Sequence, residues 1–195
     1  MFKQNNKYIA FNKPLNVLSQ FTDEGSGKKT LSLFDFPKDV YPVGRLDYDS
    51  EGLIILSNDN ELNNSLLSPN NKKSKTYIVQ VENIPNNESL NQIRSGIIVQ
   101  NYRTKPAQVK IIDTLIGLLD REIPIRVRKN IPTTFLELSI NEGKNRQVRK
   151  MTAKIGCPTL RLYRVKIGKL DIRELGLKFG EWVELTESQY DLLFL

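Results

Sequence analysis

Residues 43–57 read VGRLDYDSEGLIILS. The end of this stretch, GLIILS (52–57), is a short apolar run opened by glycine and followed by polar residues. It is too short for an ordinary helix and reads as a buried strand. Just before it, Asp47, Asp49 and Glu51 occupy alternate positions beside Arg45. On an extended segment alternate residues share a face, so Arg45, Asp47 and Asp49 are expected on one side. The cluster admits three readings. In the first, Asp47 and Asp49 cap the backbone of an ordinary turn. In the second, D-x-D-x-E supplies oxygen ligands to magnesium, although no phosphate-cradling Gly-rich loop accompanies it. In the third, one aspartate works as nucleophile or base and an arginine keeps it ionised.

Strands and a few helices extend outward from this point. KYIAFNKP (7–14) is a first strand ended by Pro14, followed by a polar loop, FTDEGSGKKT (21–30), and a short apolar turn, LSLFDFP. NDNELNNSLL (58–67) has a helical pattern, with Asn58 or Asp59 as N-cap and Leu62, Leu66 and Leu67 on one face. KTYIVQVE (75–82) alternates like a half-buried strand with Tyr77, Val79 and Val81 together. NESLNQIRSG (87–96) is a short helix with Gly96 at its C-terminal cap. IIVQ (97–100), AQVKIID (107–113), TFLELSINEG (134–143), TLRLYRVKIG (159–168) and GEWVELT (180–186) are further strands, and SQYDLL is a terminal helical turn. Residues 114–132 look like an inserted basic loop. The class is α+β, a mainly antiparallel mixed sheet with flanking helices, because successive strands lie close in sequence.

The 195 residues suit one domain, 1–195, with room for two lobes. No apolar run reaches the roughly 18–20 residues of a membrane helix. With no secretory or transit signal and a single cysteine, Cys157, the expected location is the cytoplasm. Cys157 reads as a small buried residue. The chain has no histidine, which removes Ser–His–Asp and Cys–His catalysis and imidazole-bound zinc. Chemistry must then rest on carboxylate, Tyr, Lys or Arg.

Charge is unevenly spread. Residues 141–170 hold nine Lys/Arg and one acid, whereas the remainder holds 20 basic and 21 acidic residues. A basic block on a near-neutral body suits a polyphosphate partner. Within the block, KNRQVRKMTAKIG (144–156) reads as a helix stopped by Gly156. At about 100° per residue, Val148, Met151 and Ile155 form an apolar stripe. Arg146 and Lys150 point away from it, and Arg149 sits at its flank, where a guanidinium seeks a carboxylate.

Three stretches, GRLDYDSEGLIILSND, SKTYIVQVE and EGKNRQVRKMTAKIGCPTLRL, resemble successive motifs of the RsuA-type ribosomal-RNA pseudouridine synthases. The similarity extends from FNKPLNVLSQFTDE to GEWVELT, and it is greatest to the RluE-like branch, which acts on large-subunit (23S) rRNA. That resemblance implies the pseudouridine synthase fold, with two lobes around a cleft, and no N-terminal S4 RNA-binding domain. It also implies isomerisation of one uridine with no cofactor and no metal. Asp47 takes the catalytic carboxylate's place, Tyr77 stacks on the uracil or assists its deprotonation, and Arg149 pairs with Asp47. The expected partner is 23S rRNA, bound by a monomer away from any membrane. Candidate RNA contacts are Arg45, Lys75, Lys144, Asn145, Arg146 and Lys150, and the 114–132 loop.

Overall fold

The computed structural model describes residues 1–68, 73–113, 118–121, 123–125, 128 and 130–195. They form two compact units, one of residues 1–73 and 164–195, the other of residues 74–163. The first unit opens with β1 (Tyr8–Lys13), β2 (Tyr41–Val43), β3 (Glu51–Ser57) and α1 (Asn60–Leu67). The second contains β4 (Lys75–Glu82), α2 (Asn87–Arg94), β5 (Ile98–Val99), β6 (Tyr102–Arg103), β7 (Gln108–Ile112), β8 (Thr133–Ile140) and α3 (Gln147–Lys154). The chain then forms β9 (Thr159–Ile167), β10 (Leu170–Asp171), β11 (Trp182–Glu184) and α4 (Glu187–Leu192). The fold is α+β, and every strand pair of stated register is antiparallel.

In the first unit β1 lies between β11 and β3, and β2 adds to β3. All six residues of β1 and all seven of β3 are buried. The apolar run at 53–56 therefore reads correctly as a core strand, each of its side chains contributing about 1.5–3 kcal/mol of burial. Gly52 has φ +106°, and a Cβ there would lie 2.3 Å from the Arg164 carbonyl oxygen. Only glycine permits that approach. Asp59 caps α1 by accepting from the Glu61 amide at 2.9 Å. Leu62 and Leu66 face the core, but Leu67, expected beside them, is 49% exposed at the helix end.

In the second unit β8 pairs β4 over its whole length, from Lys75↔Ile140 to Glu82↔Thr133, and takes β7 on its other edge. β4 departs from its expected half-buried state. Thr76 and Ile78 are buried as well as Tyr77, Val79 and Val81, so both faces of the strand are covered. Gly96 follows the Ser95 cap of α2, rather than being the cap itself, with φ +85°. The basic helix is shorter than the sequence pattern suggests, since α3 starts only at Gln147. Cys157 is buried, and that burial raises its thiol pKa. No described helix is long and apolar enough to cross a membrane.

Candidate functional site

In the first unit, the acidic stretch is a turn and not an extended strand. The chain bends at Gly44 (φ +78°), and the Ser50 amide donates to the Asp47 carbonyl at 3.0 Å. This i to i+3 closure defeats the expected alternation of Arg45, Asp47 and Asp49 on one face. Glu51 instead enters β3 and is buried, Asp47 and Asp49 are half-buried, and Arg45 is exposed. Among the described residues no group of three or more carboxylate or thiol side chains is placed to hold a metal ion.

The segment after β1 holds this turn. The Asn16 amide donates to the Tyr48 carbonyl at 2.9 Å. The Ser19 hydroxyl donates to the Leu46 carbonyl at 2.8 Å and accepts from the Leu46 amide at 3.1 Å. Leu46 itself is buried, which anchors the residue next to Asp47. On the outer side Arg45 donates to Gln20 Oε1 at 3.3 Å, and the Lys28 ammonium lies 5.0 Å from the Tyr48 ring centroid. These supports escape the motif reading, because Asn16 and Ser19 look like ordinary polar loop residues. Lys13 escapes it too, although a lysine closing the apolar run YIAFN is a visible signal. It is fully buried, and burial pushes its pKa down to about 7 against the opposing charges of Glu51, Asp49 and Asp47.

In the second unit Tyr77 lies in the middle of β4 opposite Leu138, 7% exposed, and Lys75 is half-buried at the strand's start. Lys144, Asn145 and Arg146 precede α3 and do not form its first turn. The Gln147 amide donates to the Lys144 carbonyl at 3.1 Å, and Arg146 takes a left-handed conformation with φ +51°. Buried Gln147 fixes this turn. Its side-chain oxygen accepts from the Lys144 amide at 3.1 Å and its Nε2 donates to Glu142 Oε1. Glu142 Oε1 also accepts from the Lys105 amide at 2.8 Å. The Lys144 ammonium sits 3.6 Å from the Tyr102 ring centroid, a cation–π contact that fixes its position. Asn145 and Arg146 are exposed.

Along α3, Gln147, Val148, Met151 and Thr152 are buried, while Arg149 and Lys150 are half-buried. Val148 and Met151 keep their expected place on the inner stripe, whereas Ile155 only caps the helix. Part of the basic 114–132 loop, residues 114–117, 122, 126, 127 and 129, lies outside the described residues. Its described part reaches the strands through Arg161 Nη2 to the Leu119 carbonyl at 2.9 Å and an Arg128–Glu82 ion pair at 3.3 Å.

Residues 7–154 match the family profile of RNA pseudouridylate synthase, and the chain belongs to that family of RNA-modifying isomerases. It is 49% identical over 182 residues to the ribosomal large subunit pseudouridine synthase E of Vibrio parahaemolyticus, covering 93% of this chain and 75% of that one. Identity to the ribosomal large subunit pseudouridine synthase E of Xanthomonas axonopodis pv. citri is 51% over 161 residues, 82% of this chain and 85% of the relative. The fold is similar to a crystal structure of a pseudouridylate synthase, with a TM-score of 0.78 and 27% identity over 99% of this chain and 76% of that one.

Proposed function

We propose that this protein isomerises one uridine of large-subunit (23S) rRNA to pseudouridine, with Asp47 as the working carboxylate. The observation that carries this reading is the near-half identity along 93% of the chain to a large-subunit pseudouridine synthase. The reaction breaks the C1′–N1 glycosidic bond, turns the uracil and joins C1′ to C5; C5 gives up its proton to solvent and the freed N1 takes one up. Atoms and oxidation state balance without a cofactor.

Asp47 acts in one of two ways: its carboxylate attacks covalently, or it removes a proton to give a glycal intermediate. Arg149 is its proposed counter-charge, through a charge-assisted hydrogen bond. Tyr77 offers a ring on which the displaced uracil stacks. A phenol is a weaker candidate for a base than a carboxylate, which favours stacking over proton transfer. Extruding the uridine costs a few kcal/mol. Phosphate contacts from Arg45, Lys75, Asn145, Arg146 and Lys150 offset that cost, with Lys144 held in place on Tyr102.

The reading is tested by mapping pseudouridines in rRNA from cells with and without the gene, using carbodiimide treatment and primer extension. The expected result is the loss of one large-subunit stop, regained on complementation. An unchanged rRNA map contradicts the reading.

A further inference from the structure

Lys13 ends β1 with no exposed surface. Its ammonium donates to the Pro14 carbonyl at 2.9 Å and the Val17 carbonyl at 2.7 Å, so two of its three donors close the loop after the strand. That same loop backs the Asp47 turn through Asn16–Tyr48 and Ser19–Leu46. Lys13 pairs across the sheet with Gly52, next to Glu51, which is buried. The charges facing the ammonium are Glu51, Asp49 and Asp47 as anions and Arg164 as a cation. Arg164 is also buried. Its Nε donates to the Leu53 carbonyl at 2.7 Å, and its Nη2 has no hydrogen-bond partner among the described residues.

The geometry points to Lys13 as a positioning residue for Asp47, clamping the 14–19 loop behind the turn and supplying a buried positive charge beside three carboxylates. This inference rests on the reading of Asp47 as the working carboxylate. Lys13 touches no reacting atom. When the glycosidic bond breaks, its electron pair goes to the uracil, adding negative charge to an already acidic site. A fixed cation lowers the cost of that step. Burial holds the Lys13 pKa near 7, so the cation is present below neutrality and lost above it. The neutral amine keeps two N–H donors, so the clamp persists and only the charge disappears.

The test is the single-turnover rate of tritium release from 5-³H-uridine-labelled rRNA, from about pH 6 to 9, in wild type, Lys13→Arg and Lys13→Met. The wild-type rate is expected to fall on the alkaline side with a midpoint near 7. Lys13→Arg, whose guanidinium stays charged, lacks that fall. Lys13→Met also lacks that fall, and it stays about tenfold slower than wild type even above about pH 8, where wild type has lost the charge but keeps the clamp. A flat wild-type profile, or the same alkaline fall in Lys13→Arg, overturns the inference. A second measurement needs neither variant to fold. One lysine ¹³Cε resonance of the wild-type protein should titrate near pH 7, and its midpoint should drop in Asp47→Asn, where a neighbouring anion is removed. Absence of that titration, or an unmoved midpoint, also overturns it. If Asp47→Asn keeps turnover, the Asp47 reading fails. If Asp47→Asn is inactive while Lys13→Arg follows the wild-type pH curve, only the Lys13 inference fails.

Discussion

Ser19 and Leu46 are joined twice, the serine hydroxyl donating to the leucine carbonyl at 2.8 Å and accepting from its amide at 3.1 Å. Both residues are buried, so no water can replace these bonds. Removing the hydroxyl in Ser19→Ala leaves two backbone groups unsatisfied beside Asp47, at an expected cost of about 1–3 kcal/mol. Urea unfolding measures that loss. The turnover rate on RNA should fall more than the affinity, because the lost bonds brace the residue next to Asp47, the proposed working carboxylate.

Gly52 sets a stricter limit. Its φ of +106° and the 2.3 Å that a Cβ would leave to the Arg164 carbonyl make Gly52→Ala strained in both conformation and contact. The expected cost is at least about 3 kcal/mol, at the far end of what single substitutions do. Thermal denaturation of purified Gly52→Ala, or its absence from the soluble fraction, checks this.

Much of the fold could be read before any coordinates, because strong local patterns also decide burial. GLIILS and KTYIVQVE became β3 and β4 nearly residue for residue. The weaker pieces depended on tertiary contacts. β2, β6 and β10 have two or three residues each and leave no periodic trace. The alternation at 45–51 misled because a Gly44 bend and the Asp47–Ser50 bond turn the chain, and residue spacing alone cannot reveal a turn. At the basic helix, Gln147 holds the Lys144 amide with its side chain, so the helix begins three residues later than its charge pattern suggests. Asp47, Tyr77 and Arg149 stood out through motif resemblance. Ser19 carries no sequence signal, and Lys13 carries only its place at the end of the apolar run YIAFN.

Arg146 holds a left-handed conformation, φ +51° and ψ 32°, that costs a non-glycine residue about 1–2 kcal/mol. Arg146→Gly removes that strain along with the guanidinium. Its stability should equal or exceed wild type in urea, while RNA affinity falls and the salt slope of binding drops by about one unit. Lost stability with unchanged salt dependence contradicts an RNA-facing role.

Lys13 also makes stability depend on pH. Its folded pKa lies near 7, below its ordinary 10.5. Between these values the unfolded chain carries a proton that the folded one has shed, so stability rises with pH in this window. The slope approaches about 1.4 kcal/mol per pH unit for one proton. Urea unfolding from about pH 7 to 9 should show the wild-type curve rising relative to Lys13→Met, and parallel curves contradict the assignment.

One carboxylate, Asp47, is proposed to perform the isomerisation. The direct measurement is tritium release from 5-³H-uridine-labelled 23S rRNA by wild type and Asp47→Asn at equal RNA occupancy. Wild type should release about one equivalent of tritium per modified site, and Asp47→Asn should release none while binding RNA with comparable affinity. Turnover by Asp47→Asn at the wild-type rate contradicts the account.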